Sequence, residues 1–219
     1  MRNLLTIFLI LSFISCNQEI RKSESNIRKF EHNIGAKELD YLNEIINDFD
    51  NFLANNYPDK KSKFKAYLAE ISELKTNKYW KIDSTKMHKY RKSNLFAKYE
   101  TIYPDTVWYD GQTFSIKFPN NEYIEEIIPI RRKNVDLNID STINSLKHKP
   151  ETWLIEQSDF YLALNSIQKS DSLIITYLEV KEIAGNLSPT ILASGIMYYL
   201  TDKNEYFAKR IFVMDIHDY

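Results

Sequence analysis

Four histidines punctuate the chain, at His32, His88, His148 and His217. A zinc site built at local spacing needs two ligands a few residues apart, so that one turn or one tight loop presents both to the metal. No two of these histidines are that close, and the single cysteine, Cys16, completes no set. The one local cluster of ligand types is Asp215-Ile216-His217-Asp218. In an extended segment Asp215 and His217 would share a face, but they read more simply as polar terminal residues. The best carboxylate group is Glu125-Glu126, followed by Arg131-Arg132-Lys133. A hydrolase working with two acids holds them about 5–10 Å apart across its substrate. Helical neighbours diverge by about 100°, so this group reads as a solvated charged segment. Nucleophile signatures are lacking too: no Gly-x-Ser-x-Gly occurs, and Ser194-Gly195 falls inside a predicted helix. Only 4 Gly are present, which excludes a glycine-rich loop that cradles phosphates. No metal or other cofactor is expected.

A stronger signal is electrostatic. Between Lys78 and Lys98 stand Lys78, Lys81, Lys86, Lys89, Arg91, Lys92 and Lys98, against Asp83 alone, with Tyr79, Trp80, Tyr90 and Phe96 interleaved. Lys86, Lys89, Arg91 and Lys92 are the candidate contact residues for an anion: a lipid headgroup, a lipopolysaccharide phosphate or an acidic protein. The competing reading is internal, with the acidic side of the preceding helix, Glu38 to Asp50, neutralising the segment. Net charge is −1, so no global electrostatic case for nucleic acid exists and none is expected as a partner. Trp80, Trp108 and Trp153 could line a ligand pocket. In a chain with 15 Tyr and 12 Phe, filling a core is the simpler use of them.

The first residues explain where such a surface would act. Met1-Arg2-Asn3 leads into an apolar run, Leu4 to Ile14, which has the layout of a secretory signal. The run is too short for a membrane-spanning helix, which needs roughly 20 apolar residues. Phe13-Ile14-Ser15-Cys16 resembles the lipobox of bacterial lipoproteins. The resemblance implies cleavage after residue 15, acylation of Cys16 and attachment of the mature chain to a membrane through that lipid. Asn17, in place of Asp, implies by the same resemblance sorting to the outer membrane.

The elements that must position these residues follow from periodicity. Residues 16–34 are polar and mixed in charge and read as a lipid-attached flexible tether. Ala36 to Ala54 carries Leu39, Leu42, Ile46, Phe49 and Leu53 on one helical stripe, widened by Ile45 and Phe52. Asn55-Asn56-Tyr57-Pro58 breaks it. A second helix is expected from about Asp59 to Leu74, with Phe64, Tyr67, Leu68, Ile71 and Leu74 inward. Asp83-Ser84-Thr85 caps a third, to about Lys92. Thr106 to Tyr109 and Thr113 to Phe118 read as two strands about Asp110-Gly111, a strong hairpin signal because Gly accepts a positive φ. Helices are then expected over Asp140–His148, Pro150–Ile167, Asp171–Ala184 and Pro189–Leu200, with Gly185 as a left-handed stop and Ser188-Pro189 as a start. Glu205 to Ile216 fits a helix better than a strand. The expected fold is mostly α, with α+β possible. It comprises about six to seven helices and a small central β-hairpin, in one domain over 35–219.

The function expected from these features is that of a lipid-anchored accessory or binding protein of the envelope, acting through protein or anionic-lipid contacts rather than catalysis. The alternatives are a small envelope hydrolase or ligand-binding enzyme whose site is assembled from distant residues, and an immunity-type lipoprotein.

Overall fold

In the computed structural model, the described residues are 21–76, 78–126 and 138–216. The signal segment, Cys16, Arg131-Arg132-Lys133 and His217 lie outside them. The chain divides into two compact units where the sequence suggested one. Ala97–Glu156 forms one of them, inserted between the two parts of the other, which runs up to Phe96 and resumes at Gln157. The larger unit is helical and the smaller mixed, so the fold is mostly α with short antiparallel strands.

The larger unit begins with a correction. Residues 21–34, expected as part of a tether, form helix α1. Ile27, Phe30 and Ile34 are spaced three and four apart, one stripe on an otherwise polar helix. Phe30 and Ile34 are fully buried. The Phe30 ring meets Phe160 at 5.8 Å and Phe207 at 5.6 Å, both edge to face. Polar ties fix the helix further: Lys29 donates to the Ser166 carbonyl at 2.7 Å, and the Tyr206 hydroxyl donates to Glu31 at 2.7 Å.

Gly35, with φ of 84°, separates α1 from α2 (Ala36–Asn56). The stripe expected for α2 is the one buried: Leu42, Ile45, Ile46, Phe49 and Leu53. Helix α3 (Lys63–Ser72) is shorter than expected, and Leu74 points outward instead of inward. After α4 (Ser84–Arg91) and the inserted unit, the chain continues through α6 (Asp159–Ser166), α7 (Ser172–Ala184), α8 (Pro189–Tyr199) and α9 (Glu205–Asp215). Caps at Ser158, Asp171 and Ser188 each accept a backbone N–H of the first turn, satisfying donors that have no partner inside the helix.

Helix α9 resolves the ambiguity of the 205–216 segment. Phe207, Ala208 and every residue from Arg210 to Asp215 are buried, so this helix lies in the core even though it carries charged residues. Phe212 and Phe49 centre an aromatic cluster in which Phe49 touches Phe64 at 5.9 Å, Tyr67 at 5.8 Å, Trp80 at 5.2 Å and Phe212 at 5.7 Å. Such pairs contribute roughly 0.5–1.5 kcal/mol each beyond area burial. Burial pushes the Tyr67 hydroxyl up to about 12, while that hydroxyl accepts the Trp80 N–H at 2.9 Å.

In the smaller unit, β1 (Lys98–Ile102) pairs antiparallel with β5 (Glu151–Glu156). A meander of β2 (Thr106–Tyr109), β3 (Phe114–Lys117) and β4 (Tyr123–Glu126) forms a second sheet, and α5 (Ile139–Lys147) packs on β2. The β2–β3 turn falls at Asp110-Gly111 as expected. The Asp110 carboxylate accepts the N–H groups of Gln112 and Thr113, and Gly111 takes a φ of 98°. Residues 151–156, expected as the start of a helix, are strand β5, and the helix begins only at Asp159. Thr152, Trp153 and Ile155 favour an extended chain, and β1 supplies the partner that ladder hydrogen bonds require. Val107, Phe114, Ile116, Phe118 and Leu146 form this unit's own core.

Candidate functional site

The basic segment's helix, α4, is built by its own ends. The Asp83 carboxylate accepts the Thr85 and Lys86 N–H groups at 3.0 and 3.2 Å. His88, Lys89 and Arg91 fall in the last turn, where positive charge is favourable next to the unsatisfied carbonyls. The Tyr90 carbonyl is satisfied locally: the Ser93 hydroxyl donates to it at 2.6 Å and the Ser93 N–H at 2.9 Å.

Side chains of α4 reach the acidic side of α2. Lys86 binds Asp48, and the Lys89 ammonium lies 3.1 Å from Glu44, whose other contact is the Tyr90 hydroxyl at 2.8 Å. Asp48 and Glu44 are one turn apart on α2, and Lys86, Lys89 and Tyr90 span one turn of α4, so the two rows meet in register. The Tyr90 hydroxyl, then Lys89, holds the Glu44 carboxyl below its ordinary range. Burial, then the bond to Glu44, raises Tyr90. The bond to Asp48 raises Lys86. The internal reading therefore accounts for two of the four candidate residues, and Arg91 and Lys92 remain exposed.

Beside this contact lies an open cleft of about 420 Å³. From α2 it is lined by Lys37 and Tyr41, and from the α4 segment by Thr85, His88, Lys89, Lys92 and Ser93. The Tyr41 ring has the Lys89 ammonium 4.6 Å and the Lys37 ammonium 5.8 Å from its centroid, geometry that lets the ring face share positive charge. That ring also leans on Tyr90, at 5.3 Å, which anchors it to the core. Sequence reasoning missed Lys37 and Tyr41, because only folding brings the start of α2 beside α4. Their signal was weak: a lysine in the first turn of a helix, where the dipole disfavours it.

The other sequence candidates stay apart. His32, His148 and Glu125 are exposed, and the His148 ring is spent on its own helix, 2.7 Å from the Asn144 carbonyl. The Ser194 hydroxyl donates to the Thr190 carbonyl at 2.8 Å, a bond within its helix. Trp80 is core, Trp153 is half-buried against Phe118 at 5.4 Å, and Trp108 is exposed. No three His, Cys, Asp or Glu residues are grouped to hold a metal among the described residues, and no helix there is long and apolar enough to cross a membrane. No protein-family model matches this chain, and no match to it was found among curated proteins or solved structures.

Proposed function

We propose that this chain is a lipid-anchored accessory module of the bacterial cell envelope, held in the outer membrane through Cys16, that contacts an anionic partner with its α2–α4 face. The observation that carries this reading is the charge left over at that face. Lys86 and Lys89 are matched by Asp48 and Glu44, whereas Lys37 and Lys92, which line the cleft there, and Arg91 at the end of α4 are exposed and make no ion pair among the described residues. Like charges gathered on one face repel one another unless a counter-charge meets them. The signal segment and lipobox-type sequence support a location for that face near a membrane, where anionic partners are abundant.

The test is crosslinking of the native chain in cells, with identification of what is captured. A stoichiometric envelope partner, lost in Arg91→Gln/Lys92→Gln and retained in Lys60→Gln/Lys61→Gln, is the expected result. Cys16→Ser is expected to release the chain from the membrane fraction. No partner above background, together with an unchanged fractionation of Cys16→Ser, would remove both halves of the proposal.

A further inference from the structure

We propose that the cleft between α2 and α4 is a binding site for a phosphate-type dianion, a phosphomonoester either free or carried as a lipid headgroup, held by Lys37, Lys89 and Lys92 over the Tyr41 ring. The proposal rests on the reading of this face as an anion-contacting surface and gives that surface a ligand chemistry.

Four observations lead to it. Three lysines from two helical segments line a single concavity, together with His88 and Thr85, and the ammonium groups of Lys37 and Lys89 both lie by the Tyr41 ring. One carboxylate, Glu44, reaches this group, and it is shared by Lys89 and the Tyr90 hydroxyl. Lys37 and Lys92 are left with no carboxylate partner among the described residues. The donors are compact ammonium charges with no guanidinium among the lining residues. Lysines bind phosphate as point charges, from several directions and without the planar geometry that an arginine fork requires. Finally, the site's back wall is rigid. Ser93 is buried with its hydroxyl both donating to the Tyr90 carbonyl and accepting the Leu95 N–H. The carbonyl that would repel an anion is thereby occupied. A cleft of about 420 Å³ holds a phosphate with a short substituent and is open enough to admit one still attached to a larger molecule.

The experiment uses the full chain in a neutral detergent, titrated with inorganic phosphate and with glycerol 3-phosphate while amide resonances of Tyr41, Thr85 and Ser93 are followed at constant ionic strength. Saturable shifts at these three residues are expected. Lys37→Gln/Lys92→Gln should weaken binding on the order of tenfold per lysine removed, with an unchanged melting temperature because both side chains are exposed. Lys60→Gln/Lys61→Gln should bind as the native chain does. A second arm adds Cys16→Ser chain to vesicles of phosphatidylcholine alone or with phosphatidic acid. Capture by the acidic vesicles, competed by phosphate, identifies the ligand as a headgroup. Saturable phosphate binding without vesicle capture identifies it as a soluble phosphoester. Shifts that are non-saturable, or equal in both double variants, overturn the site. That last result together with a crosslinked partner that depends on Arg91 and Lys92 would leave the general reading standing and remove this one alone.

Discussion

A leucine occupies the position just past α3 that helices commonly give to glycine. Leu74 has a φ of 55° and is 72% exposed. Its N–H bonds the Ile71 carbonyl at 3.1 Å, and the next N–H, of Lys75, bonds Glu70 at 2.8 Å, closing the helix in the manner of a Schellman turn. A side chain in this left-handed region costs roughly 1–2 kcal/mol. Leu74→Gly should therefore stabilise the protein by about 1 kcal/mol, read as a higher urea midpoint at unchanged slope. Leu74→Ala, which keeps the strain, should change little. Periodicity alone placed Leu74 inward, three residues after Ile71, because a spacing rule carries no information about where the helix stops. Glu44 offers a test of the α2–α4 contact. Its folded-state carboxyl is lowered from an ordinary 4.5, so its contribution is complete above that value and disappears as pH falls through the lowered one. Glu44→Gln should cost about 1 kcal/mol or less at neutral pH, given its exposure. The melting-temperature gap between native and variant should close as acidification carries the pH from above 4.5 down through the lowered value; a gap that persists once the carboxyl is protonated would show that packing, not charge, makes the contact. Half of this site was legible in the sequence. The surplus of lysines and the acids opposing them are both countable, while the identity of the lysines left over is decided by which rows come into register.

At the scale of elements, local signals carried most of the helices and failed where pairing is distant in sequence. The caps at Asp83 and Ser188 and the stop at Gly185 act within one turn, and each stands where the sequence put it. Strand β5 could not be seen this way. Pro150 resembles a helix start, and the strand that pairs with 151–156 lies about fifty residues earlier, at Lys98–Ile102. Helix α1 was hidden for another reason: three apolar residues among charges fall short of the usual stripe, and their value lies in the aromatic pocket they enter. Phe30→Ala should cost on the order of 3–5 kcal/mol, measured by denaturant unfolding. Removing residues 17–34 should destabilise the larger unit severely, whereas removing 17–20 should leave its unfolding midpoint near that of the native chain. Equal, small effects from both deletions would return α1 to the status of a tether.

Across the whole molecule, two cores are built from separate sets of residues. The smaller is assembled inside an insertion, Ala97–Glu156, whose flanking residues Phe96 and Gln157 belong to the larger unit. Each core therefore has its own cost of disruption. Phe118 is fully buried in the smaller core against Trp153. Phe118→Ala should accelerate amide exchange across 97–156 while leaving protection of α2 and α9 unchanged. Uniform acceleration over both units would show that they unfold as one. Helix α1 also bears on how far the protein can reach. A flexible stretch from Cys16 to residue 34 would have been a leash of up to about 60 Å, whereas Cys16 lies at most about 17 Å along the chain from residue 21, the first described residue of α1. On the proposed anchor, the domain is moored rather than trailing. Its search for a partner is confined to a thin layer at the bilayer surface, and confinement on that scale raises local concentration several-fold over the longer leash. A weakly binding cleft could then be well occupied, provided that its ligand is displayed at the same surface.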